Sequence, residues 1–157
     1  MEQKFPIVPA ANGSVYWLGI FMAVCVAICL SLLLLFGYFA YSARNTVVAV
    51  SDSGLQIQGN LYGREIPYQS LLIDQAEVVN LNQTEPYQLR LRTNGVGLPG
   101  YQAGWFSLKN REKALVFLTD KQRTLYLPTN EGYVILLSVK QPDTLLQSLQ
   151  KATDLHN

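Results

Sequence analysis

The most constraining feature of this chain is a long apolar segment near its N-terminus. No Asp, Glu, Lys, Arg or His occurs between Lys4 and Arg44, and Val15–Tyr41 within that interval is almost wholly apolar. A helix rises ~1.5 Å per residue, so this segment would be about 40 Å long, against a hydrocarbon core of about 30 Å. Because no polar stripe runs along it, Val15–Tyr41 predicts one transmembrane helix that contacts the lipid bilayer.

Aromatic residues stand at both ends of the apolar segment, as they do at membrane interfaces: Tyr16, Trp17, Tyr38 and Tyr41. The alternative is a cleaved signal peptide, whose apolar region spans only about 7–15 residues behind a basic start. The run here is about twice as long and lacks a convincing small-x-small exit, so we expect a retained single-pass anchor. Lys4 and the terminal amine precede the segment, and Arg44 and Arg64 follow it. The bias is one charge at most, and we expect the C-terminal part to face the cytoplasm.

The composition changes sharply after the apolar segment and predicts four parts. We expect an irregular lead-in over 1–14, the transmembrane helix over 15–43, one domain over 46–152 and a tail over 153–157. A region of that size is enough for one compact domain. The chain has 12 basic and 11 acidic residues, and such a balance gives no electrostatic case for nucleic-acid binding.

Alternation of apolar and polar residues predicts strands throughout the domain. The clearest alternation lies at 87–92, where Tyr87, Leu89 and Leu91 are expected to be buried and Arg90 and Arg92 exposed. The runs at 115–118 and 134–137 are apolar on both faces and are expected to be central strands. The turn around 120–123 is expected to be a hairpin tip. Further strands are expected near 48–50, 55–58, 76–81, 105–108 and 124–127, with a helical turn at 68–72.

The end of the chain predicts an amphipathic helix. Pro142 suits a first helical turn and Asp143 lies near its positive dipole end. Leu145, Leu149 and Ala152 then recur on one face, and Leu146 widens that face. The expected fold is therefore about seven strands, bent into a barrel or two orthogonal sheets, with this helix covering an open end.

Three stretches give this order of elements a family resemblance. They are Gly54–Ile57 with Arg64–Pro67, the run RTNGVGLPGYQAGWF at 92–106, and the helix start at 138–143. Together they resemble the bacterial pleckstrin-homology (PH)-like domain families over about residues 46–152. The resemblance implies a mainly-β PH-like barrel of about seven antiparallel strands, capped by a C-terminal α-helix. It also implies a protein of the bacterial cell membrane with no assigned reaction.

The chain departs from lipid-binding PH domains in the loop between the first two strands. Phosphoinositide-binding members carry several basic residues in that loop, whereas Ser51–Gly54 here holds Asp52 and no base. Multidentate phosphate recognition needs converging cations. We therefore do not expect phosphoinositide binding at this loop.

A glycine-rich run provides the candidate interaction loop: Gly95, Gly97, Gly100, Tyr101, Gly104 and Trp105. Glycines permit positive φ and close backbone approach, and loops on rigid scaffolds often bind partners. The spacing matches neither a P-loop nor a dinucleotide motif. Two interpretations remain open, an ordered hairpin with Trp105 and Phe106 packed into the core, or a surface for a partner or ligand.

Basic residues form two further candidate features. Lys109, Arg111 and Lys113 make a basic turn, which is either a solvated hairpin tip or a lipid-facing contact with anionic headgroups. Arg90 and Arg92 share the exposed face of one strand and either bind an anion or pair with acids on neighbouring strands.

The residues that usually carry chemistry are few. Cys25 and Cys29 lie inside the apolar segment, and His156 is the only histidine. These residues predict no metal site, cofactor or histidine-based triad, and no acid pair suggests general acid–base catalysis. We therefore expect a non-catalytic, membrane-anchored interaction or scaffold module with a protein partner or self-association.

Two alternatives to that interpretation differ in what they require. The first is a lipid-headgroup or small-ligand binder that uses Gly95–Gly104, and it needs a concave site. The second, a hydrolase, needs a convergent polar cluster that the sequence does not supply. A partner-binding surface would instead be a flat apolar patch or an open strand edge.

Overall fold

A computed structural model describes residues 3, 12–59 and 61–154 of the chain. The chain divides into two compact units, Met1–Tyr41 and Ser42–Asn157. His156 and the first part of the expected lead-in fall outside the described residues. The limits expected for the four parts of the chain stay predictions.

The first unit contains most of a single long helix, α1, which runs over Asn12–Asn45. It extends beyond both ends of the expected 15–43 helix. The window Tyr16–Tyr38 spans 23 residues, is long and apolar enough to cross a membrane, and has none of its length buried. Signal sequences near an N-terminus meet the same criteria of length and composition. Ser31, a polar residue within this window, donates its hydroxyl to Ala27 O at 2.8 Å, which satisfies it inside the helix.

The second unit contains nine strands and one α-helix. The strands are β1 Val47–Val50, β2 Gly54–Gln58, β3 Glu65–Pro67, β4 Glu77–Val79, β5 Leu89–Leu98, β6 Tyr101–Leu108, β7 Lys113–Leu118, β8 Thr124–Pro128 and β9 Tyr133–Leu137. The helix, α2, covers Pro142–Asp154, and short 3-10 helices lie at Tyr68–Ser70, Ile73–Gln75 and Glu85–Tyr87.

The nine strands form two sheets. One has three strands in the order β1-β2-β3, and the other has six in the order β4-β8-β9-β7-β6-β5. The expected mainly-β fold with a C-terminal helix is confirmed. The expected closure into a barrel is wrong, because within the described residues the two sheets remain separate.

The pairing of β7 shows that the turn expected around 120–123 is not a hairpin. β7 and β9 are parallel neighbours in the middle of the larger sheet, whereas β8 pairs with β4 and β9. The segment 119–123 therefore joins two strands that are not neighbours, and the hairpin expected there is wrong. Both central strands are buried along almost their whole length. Their apolar character on both faces, which predicted central positions, favours this pairing over a surface hairpin.

The first of two cores lies on one face of the larger sheet. It contains Leu55 and Ile66 from the small sheet, Leu115 and Ile135 from the large one, and Leu149 from α2. Leu149 is 0% exposed, and full burial of a leucine side chain stabilises a fold by roughly 1.5–3 kcal/mol. The expected amphipathic helix is confirmed, and α2 forms part of this core.

The second core lies on the opposite face of the larger sheet. Val116 and Leu136 are buried there with Tyr126, and Val79 and Leu81 contribute to the same cluster. The segment 80–88 links β4 to β5, which are at opposite edges of the sheet, so the chain crosses the sheet between them. This crossing explains why strands of the larger sheet are apolar on both faces.

Strand β5 departs from the alternation expected at 87–92. Its register with β6 shifts between Leu89 and Leu91 and again between Arg92 and Asn94. Each register shift changes the face of the sheet on which the following side chains lie. Leu91 is consequently 57% exposed, so its expected burial is wrong, while Arg90 and Arg92 are exposed as expected.

Candidate functional site

The glycine-rich run is a β-hairpin and not a long loop. β5 and β6 pair from Leu89↔Leu108 to Leu98↔Tyr101, with Pro99 and Gly100 at the turn. Gly95, Gly97 and Gly104 therefore lie within strands. Of the candidate interaction residues, only Gly100 belongs to the turn, where its φ is 75°.

Close backbone contact explains one pair of these glycines. Gly95 and Gly104 face each other across the hairpin, and a Cβ on Gly104 would lie 2.6 Å from Asn94 O. Gly104 also has a φ of 109°, which favours glycine. The ring of Tyr62 lies against this position, and its hydroxyl donates to Asn94 Oδ1 at 3.2 Å. These two glycines have a structural reason to be present that needs no ligand.

The two aromatic candidates have different environments. Tyr101 is 8% exposed and belongs to the first core. Trp105 is only partly buried, and its ring contacts Tyr133 edge-on with a centroid separation of 5.1 Å and an interplanar angle of 80°. Phe106, 4% exposed, points into the second core. Trp105 is thus the aromatic residue of the run that combines a packed ring with an accessible part.

Two cations lie against the Trp105 ring. Lys113 Nζ is 4.2 Å from the ring centroid, and Arg64 Cζ is 4.9 Å from it. Lys113 reaches the ring as a diagonal neighbour, because Trp105 pairs with Leu115 on β7. Arg64 is the residue that directly precedes β3. We call Arg64, Trp105, Lys113 and Tyr133 the Trp105 surface.

The electrostatics of the Trp105 surface are predominantly cationic. Neither Arg64 nor Lys113 is in an ion pair; among the described residues the ion pairs are Lys109–Glu85 and Arg123–Asp143. Burial and the nearby Glu131 raise the pKa of Tyr133, and the charge of Arg64 opposes that shift. Glu131 itself accepts a hydrogen bond from Ser70 Oγ at 2.7 Å.

The basic turn does not act as one cluster. Lys109 is paired with Glu85 at 3.1 Å, and Arg111 takes a φ of 74° in the turn between β6 and β7. Lys113 lies on the Trp105 ring instead. The structure therefore joins one member of the basic turn to one member of the glycine-rich run. Sequence reasoning missed Arg64 as part of this site, since it lies far away in the chain.

The outer side of β5 is the second accessible feature. β5 is the last strand of its sheet, and no strand of the described residues lies on its outer side. Arg90 to Asn94 are all exposed, and neither Arg90 nor Arg92 forms an ion pair with a described residue. The pairing with nearby acids that the sequence suggested for these two arginines is not present in the described chain. We call this feature the β5 edge.

Comparison with protein families decides what kind of domain carries these features. The bacterial PH domain family matches residues 46–153, which is more than half of the chain. The chain belongs to the bacterial PH domain family. Comparisons with curated proteins and with solved structures give no match. PH domains are generally non-catalytic binding modules, so membership indicates a binding or scaffold role.

The β1–β2 turn of this bacterial PH domain is held by its own hydrogen bonds. Ser51 N donates to Gly54 O at 2.9 Å, and Tyr68 donates its hydroxyl to Ser51 O at 2.6 Å. Ser53 Oγ donates to Glu65. Burial and the charge of Asp52 raise the pKa of Tyr68. The turn therefore offers acidic groups, which do not attract a phosphate.

A pair of stacked tyrosines is the other polar feature of this PH domain. Tyr87 and Tyr126 have ring centroids 4.1 Å apart, and their hydroxyls donate to Glu77 and Glu112, each at 3.2 Å. Burial, followed by the charge of Glu112, raises the pKa of Tyr126. The stacked tyrosines stabilise the second core.

Within the described residues no group of three or more His, Cys, Asp or Glu could hold a metal ion.

Proposed function

We propose that this protein is a non-catalytic, membrane-anchored module that binds an extended acidic segment of a partner protein. The partner segment lies along the β5 edge and contacts the Trp105 surface. The observation that carries the proposal is the open β5 edge, which adjoins a tryptophan that two cations contact. Membership of the bacterial PH domain family supports the binding role.

An open strand edge supplies backbone groups that an extended peptide can pair with. β5 is ten residues long, which is ample for such pairing. Edges of this kind also promote aggregation, and charged side chains and bulges are the usual protection against it. The β5 edge carries both, in Arg90, Arg92 and its two register shifts. The two arginines would repel the same arginines of a second β5, and the register shifts would interrupt its pairing. The same positive charges attract an acidic segment, which is therefore the partner that we propose.

The Trp105 surface suits the same partner. A partly buried tryptophan gives a partner a rigid apolar contact, and tryptophan and arginine are enriched among residues that dominate binding energy. The charges of Arg64 and Lys113 complement a carboxylate. Trp105 pairs with Asn94 on β5, so the aromatic contact adjoins the β5 edge.

The shape of the region favours a protein partner over a small ligand. The domain has cavities of about 430, 230, 600 and 130 Å³, and none of them is lined by Arg64, Trp105 or Lys113. The cavity at the hairpin turn, which Gly100 and Tyr101 line, is the one of about 130 Å³. Sites for small ligands usually measure about 300–1,000 Å³. Tyr101 also lines the cavity of about 430 Å³, but none of the glycines of the run does. A lipid headgroup or small ligand is therefore not favoured at the glycines of the run or at Trp105.

Anchoring by α1 completes the proposal. A predominantly apolar window of 23 residues is long enough to span a bilayer, and it exceeds the apolar region of a signal peptide, which is about 7–15 residues. The slight excess of positive charge after the helix supports a cytoplasmic position for the PH domain. An anchor of this kind restricts the PH domain to partners that reach the membrane surface.

In-cell photo-crosslinking tests the proposed partner site. A photoreactive amino acid replaces Leu91 in the full chain, expressed in the bacterium in which the chain occurs. The same amino acid replaces Gln147 on the exposed face of α2 as a matched control. We expect discrete protein adducts at position 91 and none at 147. Absence of protein adducts at 91, or the same adducts at both positions, would overturn the proposal.

A further inference from the structure

A second feature of the domain lies away from the β5 edge. A cleft of about 430 Å³ opens between β1 and the ends of β7 and β9. Its apolar lining consists of Val47, Val48, Tyr101, Phe117, Leu137 and Val139. β1 is an edge strand of the small sheet, and its described pairing is with β2 alone. Its volume lies within the range of about 300–1,000 Å³ that is usual for ligand sites.

The polar residues that line this cleft are Thr46, Thr119, Ser138 and Lys140. Ser138 is already occupied, since its hydroxyl donates to Asp120 O and accepts from Asp120 N at 3.2 Å. Lys140 is exposed and forms no ion pair with any described residue. The cleft therefore combines an apolar interior with one uncompensated cation, which is the complement of an anionic amphiphile.

The chain itself limits how far this cleft can be from a membrane. Thr46 lines the cleft and follows Tyr41, the last residue of the apolar segment, by five positions. An extended chain covers at most ~3.3–3.6 Å per residue, so Thr46 cannot be more than about 17 Å from Tyr41. Because the proposed anchor ends at Tyr41, the first residue of the cleft lining lies within that distance of the anchor.

We propose that the cleft binds one acyl chain of an anionic membrane phospholipid, with the lipid phosphate beside Lys140. The apolar side chains accommodate the acyl chain, and anionic lipids of the cytoplasmic leaflet attract a nearby base. The proposal rests on the membrane anchoring stated under the proposed function, but not on the protein partner at the β5 edge.

Photolabelling in nanodiscs tests this proposal on the full chain. The probe is phosphatidylglycerol with a diazirine on one acyl chain, and labelled positions are mapped by peptide mass spectrometry. We expect label in α1 and, in addition, in the segments 46–48 and 137–140. Lys140→Glu lowers the label in these two segments several-fold. The same charge change at Lys151→Glu, an exposed lysine of α2, leaves it unchanged.

Two further arms define the lipid chemistry. Phosphatidylcholine with the same diazirine chain labels α1 equally and the cleft segments several-fold less, because it lacks a net negative charge. Val47→Trp, at an exposed side chain in the cleft mouth, lowers cleft labelling without altering the core. Equal labelling by the two lipids, or an unchanged pattern in both Lys140→Glu and Val47→Trp, would overturn the proposal.

The labelling pattern also separates two kinds of failure. Label in α1 with none in 46–48 or 137–140 overturns the lipid site and leaves the anchor intact. Absence of label from α1 and the cleft alike overturns both the anchor and the lipid site. Neither result alters the adducts expected at Leu91, which report on the protein partner alone.

Discussion

Lys113 holds its ammonium 4.2 Å from the centroid of the Trp105 ring. The contact joins the basic turn after β6 to the glycine-rich hairpin, which the sequence suggests as two separate candidates. A cation–π contact at an exposed site contributes about 0.5–1 kcal/mol, enough to orient the side chain without neutralising its charge. Lys113 is therefore both ordered and able to attract an acidic partner.

A comparison of two glycine substitutions tests why the hairpin is rich in glycine. Gly104→Ala should destabilise the domain, because its φ is 109° and the new Cβ would lie 2.6 Å from Asn94 O. Gly97→Ala should have little effect, because its Cβ would meet only the Arg92 side chain, at 3.6 Å. Thermal unfolding of the detergent-solubilised full chain measures both. Equal Tm values for the two variants would contradict the structural role of Gly104.

The contribution of α2 to the core can be measured with two neighbouring positions. Leu149 is 0% exposed and Gln147 is exposed. Leu149→Ala should cost about 2–5 kcal/mol of unfolding free energy, because it leaves a cavity in the first core. Gln147→Ala should stay within about 0.5 kcal/mol of the parent. Similar, small shifts in Tm for both variants would show that α2 does not cover the core.

The pH dependence of stability should reflect the buried tyrosines. Burial raises the pKa of Tyr126 above its value in the unfolded chain, which is ~10. The stabilisation from its neutral form is complete below the unfolded pKa and is lost as pH rises towards the folded pKa. The unfolding free energy of the parent should therefore fall above pH ~10 more steeply than that of Tyr126→Phe.

Gln147→Ala serves as the control for that comparison, since it changes an exposed side chain that does not ionise. Its stability should decline with pH as steeply as that of the parent. Chemical unfolding of the full chain at several pH values between neutral and strongly alkaline gives the slopes. Identical slopes for the parent and Tyr126→Phe would show that Tyr126 does not govern the alkaline loss of stability.

The anchor is tested by its resistance to extraction. The full chain should remain in the membrane fraction after an alkaline carbonate wash, with its N-terminus upstream of Val15. Ala27→Arg places a charge in the middle of the apolar window and should raise the insertion free energy by about 2.5–3.5 kcal/mol. Ala43→Arg, near the end of the segment, is the matched control with a smaller cost. Release of the parent by carbonate, or a mature chain that begins after Ala43, would refute a retained anchor.

The sequence predicted those parts of the fold that depend on local patterns. Alternation located most strands, and apolar character on both faces identified 115–118 and 134–137 as central. The i, i+4, i+7 spacing of Leu145, Leu149 and Ala152 identified α2 and its buried face. These patterns persist in the structure because each reports the burial of side chains along one element.

The remaining features depend on contacts between distant parts of the chain. The parallel pairing of β7 with β9 places a later strand between β7 and β8, and no local pattern specifies that order. Leu91 is exposed because of register shifts in β5, which alternation alone cannot locate. The Trp105 surface needs Arg64 from the β2–β3 connection, and a single sequence gives no signal for that contact.

The central claim is that the β5 edge and the Trp105 surface bind an acidic protein segment. Photo-crosslinking from position 91 in the double variant Arg64→Glu, Lys113→Glu tests it most directly, with Lys151→Glu as the control for a change of charge. The account predicts that the protein adduct of the parent is lost in the double variant and kept in Lys151→Glu, while all three chains unfold at similar temperatures. An adduct of undiminished yield in the double variant would contradict the account.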